Sequence, residues 1–265
     1  METKERSASK RRVKLTDLVD IVIALAVFTA AWQIVFWLKV YPSFLLPSPA
    51  MTMNRFALLI QSGELGVALY TTGYRLVAGF LISILLGAGV GIAMVIFKRF
   101  GRAMSSFALG LQSFPSIAWV PFAVLIIGLT DWGIVFVMVM SSVFSVMLSV
   151  YSGIRNISPI YVKAAKNMGS KRFSLFRNVM LPAAMPSFIT GLRQAWSFAW
   201  HALIGAEILM TTVGLGAILY FGSEFARMDE IIAAMMTIFF IGLAADRLFF
   251  FNLEKRVRSG WGLTV

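Results

Sequence analysis

The sequence has no cysteine and a single histidine, and only 14% of its 265 residues are charged. Without cysteine there is no disulfide framework, no iron–sulfur site and no thiolate zinc site, and one histidine excludes paired-histidine zinc motifs. These absences exclude most redox and metal enzymes, and we expect no metal site. Acidic residues are also few, 12 against 24 Lys and Arg, which gives a formal net charge of +12. The basic residues must therefore be concentrated in particular segments.

Apolar residues make up 59% of the chain, whereas soluble domains have about 45–50%. A helix needs roughly 20 apolar residues to cross a bilayer. Six predominantly apolar stretches reach this length, and they predict an all-α polytopic membrane protein with about six transmembrane helices. The stretches are 18–38, 76–97, 103–129 (interrupted by Pro115 and Pro121), 133–154, 186–210 and 231–252. We interpret the first as a retained anchor rather than a signal peptide, because it lacks a small-x-small cleavage site before Lys39.

The positions of the basic residues predict the topology. If the N-terminus is cytoplasmic, segments 1–17, 98–102, 155–185 and 253–265 lie inside and contain 6, 3, 6 and 3 Lys and Arg, which is 18 of the 24. The positive-inside rule favours this orientation, with 18–252 as the transmembrane domain between a basic N-terminus and a cytoplasmic tail. Basic residues at alternate loops indicate topology rather than a nucleic-acid surface, so we expect no nucleic-acid partner.

The loop 155–185 has six basic residues and no acidic one. We predict a helix that Ser158 caps and Gly169 ends in the left-handed conformation. Ser170 is predicted to cap a second helix, which the Leu181-Pro182 pair ends. The apolar residues recur at helical spacing: Ile160, Tyr161, Ala164, Ala165 and Met168, then Phe173, Phe176 and Val179. This elbow (158–181) suits docking to a partner, contact with anionic lipid, or a solvated loop; its aromatic residues favour docking.

The elbow resembles the EAA loop of binding-protein-dependent ABC transporter permeases. The matching pattern is Lys163-Ala164-Ala165-x3-Gly169-x9-Val179-x-Leu181-Pro182, with Lys163 where the family has Glu. Further motifs resemble the nitrate/sulfonate/taurine (bicarbonate) branch of this family. They are Phe44-Leu45-Leu46-Pro47-Ser48-Pro49, Thr71-Thr72-x2-Arg75-Leu76-x2-Gly79-Phe80, Pro115-x2-Ala118-Trp119-Val120-Pro121, Gly205-Ala206-Glu207 and Gly214-Leu215-Gly216.

The resemblance implies the fold of a type I ABC importer permease with a cytoplasmic coupling helix. It implies a transport subunit rather than an enzyme, with a pathway for a small solute such as nitrate, bicarbonate, taurine or a sulfonate. The expected partners are a second copy, two ATPase subunits that carry ATP and Mg²⁺, an external binding protein and membrane lipid. No Lys follows a Gly in this chain, so it has no P-loop and we expect no cofactor bound by it.

The resemblance also assigns candidate site residues. Those for coupling to the ATPase are Lys163, Ala164, Ala165, Gly169, Ser170, Lys171, Phe173, Phe176, Leu181 and Pro182. In the predicted spans, polar or irregular positions indicate a pathway, because such groups usually face the bundle interior. These pathway candidates are Gln112, Ser113, Phe114, Trp119, Arg193, Ser197, Trp200 and His201. Arg193 has alternative partners in Glu207, in an acidic group on another helix, or in backbone carbonyls near Pro115.

Two further points remain open at the level of sequence. Glu207, Gly214 and Gly216 form either an outer gate or an ordinary tight loop. Gly79, Ser83, Gly87 and Gly91 recur every four residues and allow close helix contact, either within one subunit, which we favour slightly, or between two. The alternatives for function are an ATPase-independent channel or secondary transporter, and a membrane-embedded enzyme, for which the chain lacks a plausible acid–base set.

Overall fold

A computed structural model describes residues 15–260, with side-chain positions from Ile23 onward except at positions 172, 258 and 260. Predictions for 1–14 and 261–265 lie outside the described residues. The described part is helical and contains no strand, so the predicted all-α fold is confirmed. The helices are α1 (Leu15–Trp37), α2 (Pro49–Gln61), α3 (Glu64–Ile96), α4 (Lys98–Gln112), α5 (Trp119–Ile126), α6 (Asp131–Arg155), α7 (Pro159–Asn167), α8 (Arg172–Leu175), α9 (Leu181–Met210), α10 (Leu215–Glu224), α11 (Met228–Ala244) and α12 (Phe251–Gly260).

Three straight helices are long and apolar enough to cross a membrane. They are α3, α6 and the helix Met228–Val257, which runs through a π-helical segment between α11 and α12. Two bent pairs also qualify if each crosses as one span: α4 with α5, and Phe173–Met210 with α10. The remaining predicted span corresponds to α1, whose described apolar part is Ile23–Trp37. The six predicted spans therefore become three straight helices, two bent pairs and α1.

The predicted span 103–129 is not a single helix that starts at 103. α4 begins earlier, at Lys98, and makes an angle of 93° with the helical segment Ser116–Ile126. Pro115 lies in the break, as predicted, because a proline has no N–H to continue the helix. Pro121 does not break its helix. It lies in the first turn of α5, where the N–H groups have no partner within the helix.

The prediction that the second helix of the elbow ends at Leu181-Pro182 is wrong. A π-helical segment, Phe176–Met180, joins α8 directly to α9, so the helix is continuous from the elbow into the bundle. Leu181 N–H donates to the carbonyl of Phe176 across this wider turn. Local π geometry is one way in which membrane helices accommodate a proline, here Pro182. The position before the first residue of α8 is occupied by Lys171 rather than by Ser170.

The core of the bundle is α6, which packs between α3 and α9. In the most apolar 18-residue window of α6, 67% of the window is buried, whereas the corresponding window of Met228–Val257 is 11% buried. Small residues of α3 allow this contact: a Cβ on Gly87 would lie 2.7 Å from Val146 Cβ. Ser83 Oγ lies 2.8 Å from Ser142 Oγ in the same interface. The small residues at four-residue spacing therefore make contact within one subunit, which is the alternative the sequence slightly favoured.

Candidate functional site

The elbow contains the predicted first helix and the predicted left-handed glycine. Gly169 has φ of 83°, and the N–H of Ser170 donates to the carbonyl of Ala165 at 3.0 Å, which closes the end of α7. Ser158 occupies the N-cap position, although its side chain makes no capping hydrogen bond. Ala165 is the buried residue of α7, and α7 lies against α8 and the π-helical segment. The elbow is thus attached to the base of α9.

Most of the apolar surface of the elbow is exposed. The exposed fractions of Ile160, Tyr161, Met168 and Phe173 are 71%, 52%, 80% and 74%. Lys163, Ala164, Gly169, Lys171 and Leu181 are exposed as well, whereas Ser170, Phe176 and Pro182 are half-buried. Phe176 packs towards the cluster of Val150, Ile154 and Ala184. The elbow therefore presents apolar and basic side chains outward, whereas Phe176 packs against the bundle.

α9 carries a line of exposed polar side chains that continues from the elbow towards the other end of the bundle. Its members recur every three or four residues: Ser187, Thr190, Gln194, Ser197 and His201. We call this line the α9 polar stripe. Polar side chains within a membrane-spanning helix usually face protein or a water-filled cavity rather than lipid. The stripe is therefore a candidate lining of the pathway.

Two cavities lie along the α9 polar stripe. The larger has a volume of about 540 Å³, and none of the described residues that line it is charged. Its polar lining consists of Gln112, Ser145, Ser149, Ser152, Ser187, Thr190 and Gln194. The smaller, about 200 Å³, is lined by four of the predicted pathway residues: Gln112, Phe114, Trp119 and His201. Gln112 and the stripe thus join both cavities into one polar surface between α4, α6 and α9.

The other predicted pathway residues are more dispersed. Ser197 and Trp200 line a neighbouring cavity of about 500 Å³ with His201, although Trp200 itself is buried. Ser113 lines none of these three cavities, and its hydroxyl donates to the carbonyl of Gly110 at 2.7 Å. Ser197, Trp200 and His201 therefore border one cavity, apart from the polar surface between α4, α6 and α9.

Arg193 forms ion pairs with the last membrane helix. Its Nε and Nη2 donate to Asp246 at 2.5 and 2.7 Å, and its Nη1 donates to Glu254 at 3.3 Å. Of the partners considered for Arg193, the structure therefore shows acidic groups on another helix. Asp246 pairs with Arg193, and no ion pair between Asp246 and Arg247 occurs in the described part of the chain.

A buried polar network lies near the end of α9 opposite the elbow. Glu207 is completely buried, and Arg75 Nη1 donates to its carboxylate at 2.8 Å. Thr72 Oγ1 lies 2.9 and 3.0 Å from the two carboxylate oxygens. Arg75 also donates to the carbonyl of Val213 at 2.7 Å and to Asp131 at 2.5 and 3.0 Å. We call this the Arg75–Glu207 network; it joins α3, α6 and α9.

The same network fixes the segment between α9 and α10. The N–H of Gly216 donates to Glu207 at 3.0 Å, and the N–H of Leu215 donates to Thr72 Oγ1 at 2.9 Å. A Cβ on Gly214 would lie 2.5 Å from the carboxylate of Glu207, so only glycine fits there. Gly214 and Gly216 therefore form a tight connection around a buried carboxylate in this conformation.

Two features of the site were missed at the level of sequence. Arg75 lies inside α3, but it directly precedes the predicted span 76–97, so the rule for ionisable residues within spans, which singled out Arg193, was not applied to it. Ser187, Thr190 and Gln194 precede Ser197 at helical spacing, but they are uncharged. The signal for both features was present: a lone basic residue in an apolar stretch, and polar residues repeated at intervals of three and four.

The fold and the site define a multi-pass helical membrane protein with an exposed elbow at one end and an uncharged polar surface along its bundle. Residues 79–259 match the family of binding-protein-dependent transport system inner membrane components. This match covers more than half of the chain, so the chain belongs to that family of transport permeases.

Named relatives agree with this assignment. The chain is 28% identical to the putative aliphatic sulfonates transport permease protein SsuC of Bacillus subtilis, over 89% of this chain and 85% of the relative. It is 26% identical to the nitrate import permease protein NrtB of Synechocystis sp., over 89% and 87% of the two chains. A solved chain of an amino acid ABC transporter has a TM-score of 0.63 at 16% identity and covers 76% of this chain and 97% of its own. That last likeness shows the type I importer fold.

Proposed function

We propose that this chain forms the translocation pathway of an ATP-driven importer of a small anion. Two copies form the membrane unit, two cytoplasmic ATPase subunits bind ATP and Mg²⁺, and an external binding protein delivers the cargo. The elbow and both termini face the cytoplasm, in agreement with 18 of 24 basic residues in the segments assigned to that side. The sulfonate, nitrate and taurine permeases among its relatives support a small anion as the cargo, and bicarbonate is also a small anion.

The exposed elbow is the observation that carries this proposal. Leaving side chains such as Met168 and Phe173 in water costs about 1.5–3 kcal/mol each relative to burial. The segment 155–185 is basic and has no acidic residue, so a partner with an apolar groove and an acidic rim suits it. We assign this role to the ATPase subunit, because permeases of this family work with one.

The geometry also gives a route by which the ATPase acts on the pathway. The elbow continues through the π-helical segment into α9, and α9 carries the α9 polar stripe and ends beside the Arg75–Glu207 network. The helix Phe173–Met210 has 38 residues and is about 57 Å long at 1.5 Å per residue. A displacement of the elbow therefore moves the polar surface of α9 without an intervening loop.

The larger cavity supports a cargo that is held by neutral hydrogen-bond donors. Serine and threonine hydroxyls and the amides of Gln112 and Gln194 line it, without a fixed positive charge. Such a surface attracts an anion weakly, which suits a pathway that the cargo must leave again. The charge of Arg193 is already paired with Asp246 and Glu254, so an anionic cargo competes with these carboxylates for its guanidinium.

Aspartate substitutions on the elbow test the proposal. The double variant Met168→Asp/Phe173→Asp is compared with Leu129→Asp, which alters an apolar side chain in the α5–α6 connection that is 60% exposed. The chain is expressed with its ATPase and binding protein, and ATPase co-purification, ATP hydrolysis and anion uptake by vesicles are measured. We expect the double variant to lower ATPase association at least about tenfold, and the control to retain it.

Two results would contradict the proposal. Unchanged ATPase association and uptake in the double variant would show that the elbow is not the docking element. Uptake by vesicles that contain the chain alone, driven by an ion gradient, would favour the alternative of a channel or secondary transporter.

A further inference from the structure

Another cavity of the bundle, separate from the three described above, combines three basic side chains with an apolar wall. It has a volume of about 450 Å³ and lies at the end of the bundle where α3 and α6 end and the elbow begins. Its polar lining consists of Lys98, Arg102, Tyr151 and Arg155, and its apolar lining of Met94, Val95, Ile154 and Met180. We call it the basic cavity; among the described side chains, Met180 is the elbow residue that lines it, and no member of the α9 polar stripe does.

The basic cavity is built by a close contact between the start of α4 and the end of α3. A Cβ on Gly101 would lie 2.2 Å from the carbonyl oxygen of Met94 and 3.0 Å from the ring of Tyr151, so glycine permits α4 to fold back here. Lys98 and Arg102 are four residues apart on α4 and therefore lie on the same side of the helix. Both consequently face the end of α6.

Arg155 comes to the cavity from the last turn of α6. Its Nη1 donates to the hydroxyl of Tyr151 at 2.9 Å, and its guanidinium lies 5.7 Å from the centroid of that ring. Tyr151 is 9% exposed, so it holds Arg155 from a buried position. The guanidinium is therefore directed by a neutral partner and keeps donors for a ligand.

The positive charge of the cavity is not compensated by neighbouring acidic groups. Among the side chains that the structure describes, no acidic residue lines the cavity and no ion pair involves Lys98, Arg102 or Arg155. Three cations beside an apolar wall attract an anion with a hydrocarbon portion. Basic pockets between membrane helices at the cytoplasmic surface bind the headgroups of anionic phospholipids in this way.

We propose that the basic cavity binds one anionic phospholipid, whose phosphate contacts Lys98, Arg102 and Arg155 and whose first acyl carbons pack on Val95 and Met180, the half-buried apolar residues of its lining. The apolar wall favours a lipid over free phosphate, which needs no such wall. The position at the ends of two membrane helices places the phosphate at headgroup level. Met180 belongs to the π-helical segment that joins α8 to α9. A bound lipid therefore contacts the segment through which a displacement of the elbow reaches α9.

Native mass spectrometry of the full chain with added lipid tests this site. Wild type is titrated with phosphatidylglycerol, with phosphatidylcholine and with inorganic phosphate. The variant Lys98→Gln/Arg102→Gln/Arg155→Gln is compared with Lys163→Gln/Lys166→Gln/Lys171→Gln, which removes the same charge from the elbow. Near a membrane surface each basic residue contributes about 1 kcal/mol to binding of anionic lipid. We therefore expect the cavity variant to bind phosphatidylglycerol about a hundredfold more weakly, and the elbow variant to bind it as wild type does.

A single variant guards against a general loss of folding. Arg102→Gln alone is expected to weaken binding about fivefold while the thermal unfolding of the chain stays unchanged. Equal loss in the cavity and elbow variants would show unspecific attraction and overturn the proposal. Displacement of the lipid by inorganic phosphate at equal concentration would assign the cavity to a free anion instead. If the cavity variant binds phosphatidylglycerol as wild type does, the three basic residues do not form a lipid site and the proposal is wrong.

Discussion

Glu207 and Arg75 are an ion pair that has no access to water. Their side chains are 0% and 3% exposed, and each has further hydrogen-bond partners in the network. Transfer of two charges out of water is costly, so such a pair adds little stability compared with an apolar pair, but the loss of one partner leaves an uncompensated charge. The pair therefore specifies how α3 and α9 meet at this end of the bundle, and it adds little to the stability of the fold.

Removal of the carboxylate of Glu207 is expected to destabilise the protein strongly. In Glu207→Ala, Arg75 loses its buried partner and the N–H of Gly216 loses its acceptor. We expect a loss of about 3–5 kcal/mol in the free energy of unfolding. Asp131, the other acidic partner of Arg75, has a side chain that is 48% exposed. Asp131→Ala is therefore expected to lower the free energy of unfolding by about 0–1 kcal/mol. Thermal or denaturant unfolding in detergent checks both values, and equal losses would contradict the assigned role of burial.

The two arginines show what single residues in the sequence can indicate. Arg193 was correctly identified as a polar residue within a span, and one of its proposed kinds of partner was found. Which acidic residue pairs with which arginine was not predictable, because the answer depends on how distant helices are rotated about their axes. Glu207 pairs with Arg75, 132 residues away, and no local pattern specifies that contact.

At the scale of helices, the prolines were the least reliable guide. Pro115 breaks its helix, whereas Pro121 and Pro182 lie in positions where neighbouring geometry makes their missing N–H harmless. The π-helical segment that accommodates Pro182 also makes the elbow part of the fifth predicted span. The existence and approximate position of the spans followed from hydropathy, whereas the continuity of a helix through a proline depends on backbone geometry that hydropathy does not report.

The contact between α3 and α6 is expected to depend on Gly87 and not on its neighbour Gly89. A side chain at Gly87 would meet the carbonyl of Val143 at 2.8 Å, whereas nothing lies within 4 Å of a Cβ on Gly89. We expect Gly87→Leu to cost about 1–3 kcal/mol of unfolding free energy through overpacking. Gly89→Leu is expected to be neutral or slightly stabilising, because leucine favours helix more than glycine does. Similar melting temperatures for the two variants would show that α3 and α6 do not pack closely here.

At the scale of the molecule, one face of the described bundle is incomplete as a membrane protein. The α9 polar stripe and the cavity of about 540 Å³ are open to the outside of a single chain. The hydroxyls of Thr190 and Ser197 donate to carbonyls of α9, but lipid would leave the side-chain amides of Gln112 and Gln194 without partners, at a cost of about 1–3 kcal/mol for each such group. A second copy related by a two-fold axis would place the same polar surface opposite itself and enclose a pathway, as isologous contacts do.

The absence of cysteine makes this arrangement testable with single thiols. Cysteine is introduced at Thr190, Gln194 or Ser197 of the α9 polar stripe, and at Leu85, which is 73% exposed on α3, as a control. Near a two-fold axis a residue approaches its own copy, and a disulfide forms when the Cα atoms come within about 7 Å. We therefore expect oxidation in membranes to give covalent dimers from at least one stripe position and none from Leu85. The anion cargo should lower that cross-linking if the enclosed surface is the pathway, because a bound solute separates the facing side chains. Dimers from Leu85 alone would place the subunit contact on α3 and leave the polar stripe without a second copy.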